Sequence, residues 1–460
     1  MHEAHVRASP RADDDVTGAG DGMARVDPRL PRRAALAALG AAVVARLIAP
    51  APAFAQRGAR APAARTASAD GVPVSGRALP GLEALDDAVT SIMHAHAIPG
   101  ASIAITHGGA LKLARGYGYA DLQSRAPMRA DTFVALASVS KVLTAQTILK
   151  LVEGGRIKLS DRVFGWFREL TPPPGMREDP RLSEITIEMC LHHTGGWDRK
   201  TSGDPSGWGP RISRALRLDR PPLPLEMIRY MKGVPLDFAP GTRQVYSNFG
   251  FVLLGGVIAA VTRQAYPDAI RQLTLQPMGA TGIRLDSEPP QYNPGEAHRY
   301  IAGSEHPVPG GNPRMVMASG GWQANCVDMA RVMTAIDGSR TGTPFLSPPM
   351  FHAMLQPAPG IVLPSPAHWM GLGWDMVQSF PDPASADGKR YSWGKDGGLG
   401  GIQTYVEHLA IGANFVLLFN SAPQGEEGGA LALVKPKVIE FIQQMRAWPD
   451  GDLFQAFRPG

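Results

Sequence analysis

The sequence predicts an α+β protein, in which an antiparallel sheet is flanked by N- and C-terminal helices and carries an inserted all-helical subdomain. Three observations predict this fold. A helix and a β-hairpin open the folded part, the stretch from about 157 to 310 has short helices and few strand signals, and strands and a helix close the chain. Elements in this order form one sheet covered by helices.

The pattern of residues 1–55 predicts that this N-terminal segment is an export signal. Arg32 and Arg33 precede a short alanine-rich apolar run, and a small-x-small cleavage signature ends at Ala55. The run is too short to span about 30 Å of hydrocarbon, so no membrane span is expected after cleavage. The paired arginines resemble a twin-arginine signal and predict a periplasmic location. The alternative, an N-terminal core helix, does not explain the cleavage signature.

Composition divides the remaining chain. Residues 56–79, rich in Ala, Arg, Pro and Ser, predict a flexible linker. A single catalytic domain is expected over 80–447, with 448–460 as a tail. The start of translation stays open between Met1 and Met23.

The first elements of this domain follow from its apolar pattern. Helical spacing of apolar residues predicts a helix over 82–96. Residues 101–106 and 111–119 form strand patterns, and the glycine pair at 108–109 predicts a hairpin. A strongly apolar helix is predicted over 139–153, closed by two glycines.

The later elements are read in the same way. Within the insert, helices are predicted over 186–192, 224–232, 248–262 and 267–274. The closing elements are a helix at 326–336 with Asn325 as its N-cap, strands at 401–409 and 413–419, and a helix at about 428–446.

Composition also excludes several classes of function. The net charge of +5 is small for 460 residues, and no block of basic residues points to nucleic acid. The sequence has no CxxC and no HExxH, and His192-His193 has no ligand partner at metal-binding spacing, so neither a metal nor another cofactor is expected. Cys190 and Cys326 leave two arrangements open, one disulfide or two buried thiols.

Three short motifs carry candidate chemistry. Ser138 and Lys141 form an SxxK at the start of the 139–153 helix, where lysine lies one turn after serine and can assist its deprotonation. Tyr246 and Asn248 lie at a loop-to-helix junction, where the phenol could act as a base if lysines stabilise the phenolate. Lys395, before the strand at 401–409, would add positive charge. Taken alone, each motif has an ordinary explanation, which is chance for the SxxK and local structure for the other two.

Two glycines follow Lys395 and Asp396. Gly397 and Gly398 would let a substrate approach the backbone closely.

An α/β-hydrolase is not favoured, because no GxSxG occurs and its nearest match lies inside a predicted strand.

Together the motifs resemble the serine β-lactamase and penicillin-binding-protein superfamily, in particular its class C and esterase-like branch. The similar segments are 98–105, 114–121, 133–141, 151–159, 187–197, 240–248, 320–322 and 328–330. The resemblance covers most of 82–445 and implies a β-lactamase/transpeptidase-like fold.

The resemblance also implies roles for residues. Ser138 would form an acyl-enzyme, with Lys141 and Tyr246 sharing the proton transfers. Asn248 would contact a substrate amide, and Lys395 would hold the charge around Tyr246 and any substrate carboxylate. The backbone N–H groups of Ser138 and Gly398 would form the oxyanion hole. His192 and His193 fall in a similar loop and are expected to be structural.

One departure concerns the third motif. The superfamily has Lys-Thr-Gly or His-x-Gly there, whereas this chain has Lys395-Asp396-Gly397. If Asp396 points into the cleft, it should repel the carboxylate of a β-lactam. If it instead pairs with Lys395 or an arginine, little follows.

The expected function is therefore that of an exported serine hydrolase that cleaves a small ester, amide or β-lactam through an acyl-serine, resembling a carboxylesterase or a weak β-lactamase. Two alternatives remain open. One is a D-stereospecific peptidase acting on cell-wall peptides. The other is a non-catalytic peptidoglycan-binding sensor that keeps the fold.

Overall fold

The structure is a computed structural model that describes residues 66–67, 71–79, 81–288, 291–308, 311–339, 344–363, 367–422 and 429–457. The predicted signal segment, with Arg32, Arg33 and Ala55, lies outside the described residues.

A central antiparallel sheet organises the chain, as predicted. Its strands lie side by side in the order Thr66–Ala67, Pro73–Ser75, Ala110–Asp121, Gly100–His107, Ala413–Phe419, Ile402–Leu409, Lys389–Leu399 and Met376–Pro381. The short strand Ala126–Pro127 also pairs with Ala110–Asp121. The pairing of Gly100–His107 with Ala413–Phe419 joins the N-terminal and C-terminal parts of the chain.

Glycines make the tight turns of this sheet. Gly108 and Gly109 have φ of 56° and 76°, which fits a two-residue hairpin that twists with its strands. Gly401 and Gly412 have φ of 78° and 80° at the turns before and after Ile402–Leu409. The predicted N-terminal hairpin and the predicted connection at Gly412 are both confirmed.

Alternating side chains give the sheet two buried faces. Ile103, Phe415 and Leu417 point towards the terminal helices Glu83–Ala95 and Gly429–Gln444, which pack on each other. Ala104 and Val416 point to the opposite face, into the larger core shared with the helical subdomain. The two terminal helices were predicted within one to two residues.

The larger core is built from the helical elements. Its α-helices are Ser140–Glu153, Ile187–Leu191, Gly209–Leu216, Pro224–Met231, Asn248–Thr262, Tyr266–Ile270, Gln276–Met278, Pro313–Gly320, Cys326–Ile336 and Pro348–Met354. The shorter helical turns are Ala137–Val139, Val163–Phe167, Pro180–Glu184, Pro205–Gly207, Arg271–Leu275 and Leu453–Phe457. Asn325 caps Cys326–Ile336 as predicted, accepting a hydrogen bond from the Asp328 amide (2.8 Å).

Short strands show that the insert is not wholly helical. Arg284–Leu285 pairs with Trp322–Ala324, which also pairs with Val134–Ala135 beside the serine motif. Tyr300–Ile301 pairs with Ser421–Ala422. The prediction of an all-helical insert is wrong in this detail, because two-residue strands leave no alternating pattern in a sequence.

Three further predictions need correction. Pro73–Ser75, inside the predicted linker, is a strand of the sheet, and its Val74 is buried. The motif around Lys395 precedes the strand Ile402–Leu409 as predicted, but it lies within a further strand, Lys389–Leu399, that was not predicted. The predicted tail includes Leu453–Phe457, whose Phe454 carbonyl accepts a hydrogen bond from Arg331.

The two cysteines are free thiols in the core. Cys190 and Cys326 are both buried, and burial raises the pKa of both. Of the two arrangements left open by the sequence, the structure has the unbonded one.

Within the described part of the chain, no single helix is long and apolar enough to cross a membrane. The pair Asn248–Thr262 and Tyr266–Met278, bent by 80°, reaches the required length and composition only when taken together.

Candidate active site

A strained turn presents Ser138 to a cleft. The preceding residue, Ala137, has φ of 46°, a left-handed conformation that non-glycine residues adopt rarely and at an energetic cost. The helix Ser140–Glu153 follows at once, so Ser138 lies at the N-terminal end of a buried helix. Amide groups there favour negative charge at the serine.

The third motif packs directly against this turn. A Cβ atom added at Gly397 would lie 2.4 Å from the Leu136 carbonyl oxygen and 3.1 Å from the Ser138 amide nitrogen. Only glycine permits that approach. Gly398 differs, because a Cβ atom there would meet nothing within 4 Å. Gly397 is therefore a packing residue, whereas Gly398 faces open space.

Lys141 lies beneath the serine and is fully buried. Its Nζ atom is 3.1 Å from Ser138 Oγ, 2.7 Å from Asn248 Oδ1 and 2.7 Å from the Ser319 carbonyl oxygen. Burial, and then the positive charge of Lys395, hold the pKa of Lys141 well below its ordinary value. Both effects favour the neutral amine, which can accept a proton.

Tyr246 reaches the serine from the helical subdomain. Its Oη atom is 2.7 Å from Ser138 Oγ, and its ring stacks on His193 with centroids 4.5 Å apart. Burial raises the pKa of Tyr246 to about 12, although the charge of Lys395 opposes this. The phenol is therefore protonated at neutral pH, and the expectation that it could act as a phenolate base is not favoured.

Of the two histidines, His193 supports Tyr246 rather than the serine. His193 Nδ1 accepts a hydrogen bond from the Ser247 amide (3.1 Å). Burial lowers the pKa of His193 well below its ordinary value and that of His192 to about 4. Both rings are therefore neutral, and neither makes a hydrogen bond to Ser138 in the described structure.

Lys395 also lies near Tyr246, with its Nζ atom 5.0 Å from the ring centroid. It forms an ion pair with Asp375 and lies 3.9 Å from the Asp396 carboxylate, whose side chain is 62% exposed. Burial opposes the charge of Lys395, but the Asp375 carboxylate outweighs it and the pKa of Lys395 stays above its ordinary value. Of the two orientations considered for Asp396, the structure has it beside Lys395.

Asn248 is held at both ends of its amide. The oxygen accepts from Lys141, and Nδ2 donates to the Asp204 carboxylate (2.6 Å). The predicted substrate-contacting residue thus already has two protein partners, while still lining the cleft.

The sequence interpretation missed three contributors: Asp204, Asp375 and Ser319. Asp204 and Asp375 belong to no motif, and only the folded chain brings their carboxylates to the site. Ser319 contributes a backbone carbonyl, so its side-chain identity carries no signal.

An open cleft lies above Ser138. Its lining includes Ser206, Asn248, Ser319, Gly398 and Leu399. The structure thus brings together every site residue predicted from the sequence: Ser138, Lys141, Tyr246, Asn248, Lys395, Gly397 and Gly398. A serine hydroxyl between a buried amine and a phenol, open to a cleft, can act as a nucleophile.

Comparison with known proteins decides the family. The model of the family described as Beta-lactamase matches residues 85–435, most of the chain. This protein belongs to the β-lactamase family. The family consists of serine hydrolases that include esterases, amidases and β-lactamases, so the protein is a serine hydrolase of this fold.

Individual relatives agree with that placement. Esterase EstB of Burkholderia gladioli is 28% identical over 373 residues, which are 75% of this chain and 91% of the esterase. The octameric penicillin-binding protein homologue from Pyrococcus abyssi superposes with a TM-score of 0.61 at 23% identity, covering 78% of this chain and 77% of that one. D-amino acid amidase from Ochrobactrum anthropi SV3 superposes with a TM-score of 0.59 at 22% identity, covering 79% of this chain and 99% of the amidase. Both structures share the fold.

Proposed function

We propose that this β-lactamase-family member is an esterase that cleaves esters of uncharged carboxylic acids through an acyl-enzyme on Ser138. The observation that carries the proposal is the pair of contacts to Ser138 Oγ, one from Tyr246 Oη at 2.7 Å and one from Lys141 Nζ at 3.1 Å.

Proton positions follow from the pKa directions. Tyr246 is protonated, so its hydroxyl donates to Ser138 Oγ. Neutral Lys141 has two N–H bonds and one lone pair, and Asn248 Oδ1 and the Ser319 carbonyl accept those two N–H bonds. The lone pair then faces the Ser138 hydroxyl. This arrangement supports Lys141 as the base that takes the serine proton.

The proposed reaction has two steps, acylation of Ser138 and deacylation by water. Ser138 Oγ attacks the ester carbonyl carbon while its proton passes to Lys141, and the backbone amides of Ser138 and Gly398 stabilise the oxyanion. The bond to the leaving oxygen breaks, and that oxygen takes a proton from Tyr246, which Lys141 reprotonates. Water then attacks the acyl carbonyl carbon and gives a proton to Lys141. The bond to Ser138 Oγ breaks, and that oxygen takes the proton back from Lys141, which releases the acid and free Ser138.

The charge around Lys395 favours uncharged substrates. In the resemblance stated above, this lysine would also bind a substrate carboxylate. Here its charge is already matched by Asp375, and Asp396 adds a second carboxylate 3.9 Å away. Although Asp396 pairs with Lys395, the two carboxylates together leave Lys395 little uncompensated charge to attract a β-lactam carboxylate, which supports an ester preference.

Hydrolysis of p-nitrophenyl butyrate tests the proposal. Wild-type enzyme should hydrolyse it, Ser138→Ala should show no turnover above background, and the exposed control Ser183→Ala should match wild type. Full activity in Ser138→Ala would refute the nucleophile. Release of D-alanine from a cell-wall peptide, without ester turnover, would refute the ester preference and favour a peptidase.

We also propose export to the periplasm, supported by Arg32-Arg33, the short apolar run and the cleavage signature at Ala55. In a Gram-negative host, the periplasmic protein should begin at Gln56, and the double change Arg32→Lys with Arg33→Lys should retain it in the cytoplasm. Periplasmic protein with an uncleaved N-terminus, or an unchanged distribution in the double variant, would contradict this.

A further inference from the structure

Asp204 lies at the far end of the hydrogen-bond chain from Ser138. Its Oδ2 atom accepts from Asn248 Nδ2 at 2.6 Å, and Asn248 Oδ1 accepts from Lys141 Nζ at 2.7 Å. Asp204 comes from the insert, 44 residues before Asn248. No motif or resemblance assigns this carboxylate a role.

The polarity of the Asn248 amide depends on this partner. An amide side chain can turn by 180° and exchange its oxygen and nitrogen at little steric cost. A carboxylate only accepts hydrogen bonds, so Asp204 requires the Asn248 nitrogen on its side. The Asn248 oxygen is thereby fixed towards Lys141.

That orientation determines what Lys141 can do. With the oxygen facing it, neutral Lys141 donates to Asn248 and keeps its lone pair for Ser138. With the amide turned, the Asn248 N–H group would donate to the lone pair, and the serine would lose its proton acceptor.

The other oxygen of Asp204 is also fixed. Asp204 Oδ1 accepts from the Ser206 amide (2.9 Å) and from Ser206 Oγ (2.7 Å), at the start of the turn Pro205–Gly207. Both carboxylate oxygens are therefore engaged, and the side chain is held in place on both sides.

We propose that Asp204 is a positioning residue, which holds the Asn248 amide so that Lys141 presents its lone pair to Ser138. This inference rests on the proposed acyl-enzyme function. It also predicts that the negative charge of Asp204 stabilises the ammonium form of Lys141. The other charged or titratable groups facing Lys141 are Lys395, Asp375, Asp396, Tyr246 and His193.

The first test is Asp204→Asn, which keeps the shape. The Ser206 donors hold the oxygen of the new amide, so its NH2 group faces Asn248 and turns that amide over. With p-nitrophenyl butyrate, kcat should fall about 10- to 100-fold with little change in KM. Loss of the carboxylate also disfavours the ammonium, so the acid limb of the pH profile should move to lower pH. Asp219→Asn, exposed in the same insert, is the control.

The second test is the double variant Asp204→Asn with Asn248→Asp. The carboxylate then sits beside Lys141 and accepts from it, while the amide at 204 donates to that carboxylate. We expect kcat to recover about ten-fold or more over Asp204→Asn, with the acid limb moved to higher pH than in wild type. Asn248→Asp alone, with two carboxylates facing each other, should be less active than the double variant.

The outcomes separate this inference from the proposed function. If wild-type enzyme neither hydrolyses the ester nor reacts with a fluorophosphonate, the proposed function fails. If wild type is active but Asp204→Asn retains its kcat and pH profile, the positioning role alone is wrong. If Asp204→Asn loses activity and the double variant does not recover it, Asp204 only supports the loop, which also overturns the inference.

Discussion

Tyr246 Oη and Ser138 Oγ lie 2.7 Å apart, although 108 residues separate them in the chain. One belongs to the helical subdomain and the other to the turn between a short strand and the buried helix. The contact therefore forms only when the insert packs on the sheet, which ties the chemistry to the completed fold.

The first prediction concerns this phenol. Tyr246→Phe removes the hydroxyl that would protonate the leaving oxygen, and we expect kcat for p-nitrophenyl butyrate to fall about 10²- to 10⁴-fold. Stopped-flow and steady-state rates measure the loss. Tyr391→Phe, on the sheet strand Lys389–Leu399, should keep wild-type activity. A ten-fold or smaller effect in Tyr246→Phe would remove the phenol from the mechanism.

The second prediction concerns the base. Lys141→Arg places a guanidinium, which does not deprotonate in proteins, at the buried position, so kcat should fall about 10³-fold or more. Lys158→Arg, at an exposed lysine, should leave kcat unchanged. Activity in Lys141→Arg close to that of wild type would show that a neutral amine is not needed.

The pH dependence of the wild-type enzyme follows from the same group. A base must be neutral to accept the serine proton, so kcat/KM should rise with pH as the Lys141 ammonium deprotonates. Burial and Lys395 lower the pKa of Lys141, which moves this rise below the range of an ordinary lysine. A profile that rises only above about pH 10 would contradict the lowered pKa.

Two neighbouring glycines of the strand Lys389–Leu399, Gly397 and Gly398, give a matched pair of variants for a test of stability. Gly397→Ala would place a methyl group 2.4 Å from both the Leu136 carbonyl oxygen and Thr404 Oγ1, and we expect it to destabilise the fold by about 1–3 kcal/mol. Gly398→Ala has no neighbour within 4 Å and should leave the unfolding temperature unchanged. Calorimetry on both variants checks this, and equal unfolding temperatures would contradict the packing described.

The last prediction concerns substrate charge. Asp396→Thr removes the exposed carboxylate near Lys395, so kcat/KM for the β-lactam nitrocefin should rise about ten-fold relative to p-nitrophenyl butyrate. The exposed control Asp87→Asn should leave the ratio unchanged. An unchanged ratio in Asp396→Thr would mean that this carboxylate does not select substrates.

Much of the fold could be predicted because its signals are local. The hairpin at Gly108-Gly109, the Asn325 cap and the terminal helices each depend on residues within a few positions of one another. The strand Lys389–Leu399 was missed because it contains Gly394, Gly397 and Gly398, which weaken a strand pattern although Gly394 and Gly397 are both closely packed.

The contacts of the site also divide into those with a local signal in the sequence and those without one. Ser138 and Lys141 are one helical turn apart, so the sequence predicts their contact. The partners of Asn248 and Lys395 are Asp204 and Asp375, which reach the site through loops whose path depends on tertiary packing. A single sequence carries no mark on such carboxylates, and only coordinates reveal them.

Identification of the residue that carries the acyl or phosphonyl group tests the central claim most directly. After reaction of the full-length enzyme with a fluorophosphonate, tryptic peptide mass spectrometry with fragmentation should place one adduct in peptide 130–141, on Ser138 and not on the neighbouring Ser140. An adduct at any other residue, or undiminished labelling of Ser138→Ala, would contradict the assignment of Ser138 as the nucleophile.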